Sequence, residues 1–229
     1  MRARPRSIAI DGPAGSGKTT IGAELARRLG YAFLDTGMVY RATTLAAVRC
    51  GVSVHDEAAL VALIGRVQIA VSPPAVDDGR VTTITLDGED VTWALRERVV
   101  DDNVSPVSAH PLVRDRLLGV QRSVASQGPV VMVGRDIGTV ILPGADLKVY
   151  LDASVEERAR RRQAELQARG VASNYDEVLD NLRQRDAMDS GRSVAPLAQA
   201  PDAHYVDSTS LSVDSVLQHI EDLVRGCHC

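Results

Sequence analysis

The stretch Ser7-Ile8-Ala9-Ile10-Asp11-Gly12-Pro13-Ala14-Gly15-Ser16-Gly17-Lys18-Thr19-Thr20 changes character abruptly at Gly12. Before it lies a short apolar run of the kind that forms a buried strand, and Gly12-Pro13 stops that strand. From Gly12 to Thr19 the residues fit G-x-x-x-x-G-K-[ST], and the loop lies between a strand and a helix, the context this motif requires. Its glycines let successive backbone N–H groups point into one concavity, and the following helix start adds partial positive charge. Lys18 would reach the β- and γ-phosphates of a nucleoside triphosphate, and the Thr19 hydroxyl would ligate Mg²⁺. A glycine turn before a helix is the bland alternative. It does not explain the lysine, because the chain has 24 arginines and only two lysines, Lys18 and Lys148.

From Gly17 to Leu29 the apolar residues Ile21, Leu25 and Leu29, with Ala23 and Ala26, share one helical face, and Gly30 reads as the C-cap. Tyr31 to Leu34 reads as a second strand. Pro129 to Val133, Leu147 to Leu151 and the weaker Ala203 to Val206 read as three more. Helical patterns at Met38 to Cys50, Pro111 to Ser126, Ser154 to Arg169, Tyr175 to Met188 and Val213 to Val224 separate most of them. Strands alternating with helices imply βαβ crossovers, hence an α/β fold with a parallel sheet. One stretch breaks the alternation: Gln68 to Ser72 and Arg80 to Leu86 form a predicted hairpin lying outside the parallel core.

At 229 residues the chain fits one domain, or one core with an insertion, and 45% hydrophobic with 24% charged residues excludes disorder as the main state. A net charge of −4 provides no general cationic field for nucleic acid. No apolar run is long enough for a membrane helix, and the basic start MRARPR runs straight into IAIDGPAG rather than a signal-peptide core, so a cytoplasmic protein is expected. Three cysteines, Cys50, Cys227 and Cys229, fit a reducing compartment better than a disulfide framework. The Cys227-His228-Cys229 tail reads as a frayed terminus rather than a metal site, because no second ligand pair completes it.

The loop motif leaves the phosphoryl acceptor open. A guanine-reading N-K-x-D segment is missing, which argues against a GTPase switch, whereas Arg41, Arg114, Arg135, Arg185 and Arg192 could grip an anionic acceptor bidentately. Leu34-Asp35-Thr36-Gly37-Met38-Val39-Tyr40-Arg41 follows the second strand at a carboxyl end of the sheet, where open α/β folds bind ligands; a capped helix start is the competing account. Gly134-Arg135-Asp136-Ile137-Gly138-Thr139 follows the third strand in the same way, against the alternative of an ordinary turn ion pair. The arginines at 158, 160, 161, 162 and 169 suit a polyphosphate clamp or a solvated helix face. Arg185 and Asp189 share a helix face, with Arg192 just beyond, which is also compatible with a surface ion pair.

These motifs together resemble bacterial cytidylate kinase nearly end to end. IDGPAGSGKTT, FLDTGMVYR, GEDVT, GRDIGTVILP, YLDAS followed by EERARRR, RD and D and R before VAPL, and the late VDST stand in family order and spacing. The resemblance implies a P-loop fold with a five-stranded parallel sheet in order 2-3-1-4-5 and transfer of the ATP γ-phosphoryl group to CMP or dCMP, a step of pyrimidine nucleotide metabolism. It implies a core at about 1–40, 110–155 and 174–229, a monophosphate-binding region with insertion at about 41–109, and a lid at about 156–173. ATP would be held by Gly12, Pro13, Ala14, Gly15, Ser16, Gly17, Lys18, Thr19 and Thr20, with lid residues Arg158 and Arg162, and Mg²⁺ by Thr19. Arg41, Arg135 and Arg192 would hold the acceptor phosphate. Thr36, Ser105, Arg114 and Asp136 would form the cytosine pocket, with Tyr40 nearby, and Arg185 with Asp189 would contact the pentose. Lys18, Arg135, Asp136, Arg185 and Arg192 would carry the chemistry. A monomer is the family expectation.

The acceptor phosphate is already an anionic nucleophile, so the expected catalysis is positioning and charge neutralisation. UMP should be the weaker substrate. One departure stands out: Val133 precedes Gly134-Arg135-Asp136 where the family usually has an acid. This leaves two readings, an active kinase and a nucleotide-binding homologue weakened by that valine, with Asp11, Asp35 or Asp136 as possible compensation.

Overall fold

The computed structural model describes residues 4–168 and 170–227; Arg169, His228 and Cys229 therefore lie outside the described residues. Five strands, β1 (Ser7–Asp11), β2 (Ala32–Asp35), β6 (Val130–Gly134), β7 (Leu147–Asp152) and β8 (His204–Asp207), form a parallel sheet in the order β2-β6-β1-β7-β8. Numbered as core strands alone this is the expected order 2-3-1-4-5. The sheet is covered on both sides, which explains why its strands are continuously apolar rather than alternating. Ile8 and Ile10 pack into one cluster with Phe33, Val131 and Val133, under α1 (Lys18–Leu29) and α8 (Val213–Gly226). Ala9, Leu34 and Met132 point the other way, into a larger cluster with α2 (Thr36–Arg49), α4 (Arg98–Ala109) and α5 (Pro111–Ser126).

The predicted hairpin is present as β3 (Ile69–Ser72) and β4 (Thr83–Leu86), with a short β5 (Glu89–Asp90) completing a separate antiparallel sheet. Two helices escaped the sequence reading. The first is α3 (Glu57–Ile64), whose Leu60 and Leu63 are buried beneath it; the second is α4, which carries Pro106 inside it. The region at about 41–109 expected to carry the insertion thus ends in a helix packed on α2 through Val100 and Val104. The chain closes over the phosphate loop with α6 (Val155–Ala168) and α7 (Tyr175–Ser190), joined by Ala159, Leu179 and Leu182 packed on Ala14.

Candidate active site

The loop between β1 and α1 is shaped by glycine where the backbone demands it. Gly12 has φ 150°, and a Cβ there would lie 2.0 Å from the Leu151 carbonyl oxygen on β7. Lys18 is buried and folds back, its Nζ donating to the Pro13 carbonyl at 2.6 Å and to Ser16 Oγ at 3.3 Å. Burial, and next the charge of Arg135, hold its amine well below the usual lysine range. A cation kept in this state gains strongly from an incoming polyanion. Thr19, exposed at the start of α1, donates its hydroxyl to Asp35 Oδ2 at 2.6 Å, while Asp35 Oδ1 caps α2 by accepting from Gly37 N.

A cleft of about 850 Å³ opens from this loop across the carboxyl ends of the strands. Its far side is one connected ionic network. Arg135, just past β6, donates to Asp189 of α7 at 2.7 Å; Asp189 also accepts from Arg192, and Arg192 donates to Ser108 of α4 at 3.0 Å. Arg114 of α5 continues it, donating to the Ser108 carbonyl at 3.0 Å and to Asp136, with its guanidinium 5.2 Å over the Tyr40 ring. Burial would raise the Asp189 carboxyl, but Arg135 and Arg192 outweigh it and hold it below the usual range. Arg192 is itself lowered by burial, and its Nε is buried without a hydrogen-bond partner.

Arg185 is the outlier. Among the described residues no hydrogen bond or ion pair anchors its side chain, and it lines the cleft; burial, then the charges of Arg135 and Arg41, pull it down to about 10. The opposing pull of Asp189 and Asp101 does not offset this. An unpaired, crowded cation aimed into a cleft is a site waiting for an anion.

The residues to which the resemblance gives a site role line this one cleft, with three exceptions: Gly12, Pro13 and Arg158. Arg158 is buried, donating to the Ala14 and Ala153 carbonyls and to Asp186 Oδ2, so it supports the phosphate loop from behind. Arg162 does line the cleft. Arg161, which was not preferred over its neighbours, also reaches the loop: it donates to Ser208 Oγ and O at 3.1 and 2.6 Å, and to the Ser16 carbonyl at 3.5 Å. Only its position on α6 relative to β8 distinguishes it, and no local sequence signal reports that.

Val133 is 1% exposed, and its Cγ1 would lie 2.5 Å from a Cβ placed on Gly22, so it fills the space under α1. Asp11 is committed elsewhere: its two oxygens accept from Ile137 N and Gly138 N, both at 2.7 Å, fixing the turn that carries Arg135 and Asp136. Asp136 is committed to Arg114. Of the three carboxylates named as compensation, only Asp35 touches Thr19.

The family profile described as cytidylate kinase matches residues 8–226. The chain is 47% identical to the cytidylate kinase of Geobacillus kaustophilus, with 96% of each chain covered. It is 49% identical to that of Herpetosiphon aurantiacus, over 96% of this chain and 94% of that one. A solved protein of uncharacterised function from Eubacterium ventriosum superposes with a TM-score of 0.51 at 12% identity, covering 96% of this chain and 98% of that one, which speaks to the fold alone.

Proposed function

Because the chain belongs to the cytidylate kinase family, we propose that it transfers the γ-phosphoryl group of ATP to CMP or dCMP, giving ADP and the diphosphate. The observation that carries this reading is the single cleft with a phosphate loop on one side and a crowded arginine network around an unpaired Arg185 on the other. Two phosphate-bearing substrates facing each other across one cleft need this arrangement of charge. The core at about 1–40, 110–155 and 174–229 carries the phosphate loop, about 41–109 the acceptor side, and about 156–173 the lid.

The residues present fit a divalent cation: the Thr19 hydroxyl and the Asp35 carboxylate adjoin at the mouth of the loop, hard oxygen donors of the kind Mg²⁺ prefers. The cation, bound with ATP, supplies neutralisation of phosphate charge. Lys18 and the loop N–H groups hold the donor phosphates; Arg41, Arg135 and Arg192 hold the acceptor phosphate, and Arg185, which lines the same cleft near Arg135 and Arg41, adds positive charge for the transferring group beside its contact with the pentose. Thr36, Ser105, Arg114 and Asp136 line the base pocket beside Tyr40, where the Arg114–Asp136 pair presents a carboxylate oxygen to the exocyclic amine of cytosine. Asp189, fixed by Arg135 and Arg192, is placed to accept from a pentose hydroxyl. No general base is needed, since the nucleophile is already an anion. Closure over the cleft keeps out water as a competing acceptor. Nothing observed favours a protein disabled by Val133, because Asp35 remains at Thr19.

A coupled ADP-release assay with Mg-ATP and CMP, dCMP, UMP, AMP or no acceptor tests the reading. Rapid turnover with the cytidine nucleotides is expected, and turnover independent of acceptor, or confined to AMP, would overturn it.

A further inference from the structure

One carboxylate of α4 ties the two sides of the cleft together. Asp101 Oδ1 accepts from Nη2 of Arg41 on α2 at 2.5 Å, and Asp101 Oδ2 accepts from Nη2 of Arg162 on α6 at 3.3 Å. Arg41 belongs to the acceptor side and Arg162 to the lid, so the two oxygens take one arginine each, one from either side. The three side chains are only 19–26% exposed, so the pairs are shielded more than ordinary surface contacts. Arg41 has its other terminal nitrogen on the Leu95 carbonyl at 2.9 Å, and Arg162 has its other on Glu165 at 2.8 Å. Both guanidiniums are therefore held in place by the protein's own acceptors, and a negative group sits between two cations where substrate phosphates are to be received.

We propose that Asp101 is a phosphate surrogate: it latches Arg41 to Arg162 while the cleft is empty, and either nucleotide displaces it, so that CMP and ATP binding are coupled through this one residue. This rests on the kinase reading above. The first nucleotide to bind works against the latch and the second meets arginines already released, which is positive coupling by linkage. Ion pairs of this exposure translate into roughly threefold to tenfold in affinity.

The test is calorimetric titration of CMP into the protein with and without Mg²⁺ and a non-hydrolysable ATP analogue, for wild type, Asp101→Asn and Asp101→Ala. Wild type should bind CMP about threefold to tenfold more tightly when the analogue is present. Both variants should bind CMP to the empty protein more tightly than wild type by a similar factor, with the effect of the analogue reduced to about twofold or less. Asp101 is the acid in the first turn of α4, so both variants give up some of the helix's stabilisation, and alanine's helix propensity limits the loss. Weaker or unchanged CMP binding in the variants, coupling that persists in them, or a melting temperature lowered by more than about 10 °C, which would assign Asp101 to the fold, each overturns the proposal. A wild-type protein that binds no CMP sinks the kinase reading instead, and the two failures are thereby distinguished.

Discussion

Asp35 on β2 and Val133 on β6 are register partners, side by side at the carboxyl end of the sheet on the face covered by α1. Neighbouring strands lie about 4.8 Å apart, so an acid at 133 would stand next to Asp35 and close to Thr19. Here the valine side chain packs under Gly22, and among the described residues Asp35 alone bonds the Thr19 hydroxyl. Asp35→Asn should therefore raise the free Mg²⁺ needed for half-maximal rate by about tenfold. Val133→Asp should gain less than about twofold in kcat and lose about 1–3 kcal/mol of stability from a carboxylate set among Phe33 and Ile21. Rate against free Mg²⁺ and urea unfolding check both; a Val133→Asp protein more than tenfold faster would mean that the valine limits turnover.

The base pocket makes a prediction about selectivity. Asp136 is buried and bonded to Arg114, which is stacked over Tyr40, so its remaining acceptor capacity suits an amine and opposes a carbonyl. In wild type, kcat/KM for CMP should exceed that for UMP by about 10²–10⁴. Asp136→Asn removes the charge that makes the distinction, so the CMP value should fall by about 10²-fold and the preference should narrow to about tenfold or less. Steady-state kinetics on both acceptors decide it, and an unchanged ratio would remove Asp136 from base reading.

Arg185 should show opposite effects on activity and stability. With no hydrogen-bond or ion-pair partner among the described residues to offset burial and the charges of Arg135 and Arg41, its native pKa of about 10 lies below the usual arginine range, so its penalty on folding is fully present below pH 10 and fades above it. Arg185→Met should thus be more stable at pH 7 by about 1–2 kcal/mol, or about 3–6 °C in Tm. Its kcat should fall by about 10²-fold or more, since the cation's gain comes only when phosphates are bound. Calorimetry with kinetics tests the pair; a variant that loses both stability and activity would make Arg185 a structural residue.

The parts of this molecule visible in the sequence are those that local pattern controls. The strand ending at Asp11, the glycine loop, the helix stopped by Gly30 in a left-handed conformation and the β-branched runs at Val130 and Leu147 each follow from residues within a few positions of one another. Arg41, Arg114, Arg135, Arg185 and Arg192 stand out in the sequence as candidate grips for an anionic acceptor, the resemblance gives each its role, and the fold brings them to one cleft. The helix at Arg98–Ala109 is masked in the sequence by Pro106, which has no N–H to give the Asp102 carbonyl, while Val100, Val104 and Val107 bury the face that holds the helix in place. Arg161 on Ser208, Asp35 on Thr19 and Asp101 between two arginines depend on how distant elements meet. Arg158 shows the limit from the other side, because its place in an arginine-rich helix could not tell a clamp on substrate from a brace behind the loop.

Asp11 provides a pH dependence whose sign is opposite to that of most carboxylates. Burial, reinforced by nearby Asp136, outweighs two backbone hydrogen bonds and the charge of Lys18, lifting its pKa from 3.8 to about 6. The native state then holds this proton more tightly than the unfolded chain, so stability from this group is present below about pH 4 and is lost as pH rises through 6. Two pKa units correspond to about 3 kcal/mol. Asp11→Asn keeps one acceptor oxygen and has nothing to titrate; it loses one of the bonds to Ile137 and Gly138 at every pH. Other carboxylates, such as Asp189, pull the opposite way in both proteins and cancel in the difference. Urea unfolding at pH 4, 5, 6 and 7 should therefore show the variant gaining about 3 kcal/mol relative to wild type across that range. Parallel stability curves would mean that Asp11 is ionised in the native protein throughout, with its two N–H bonds outweighing its burial.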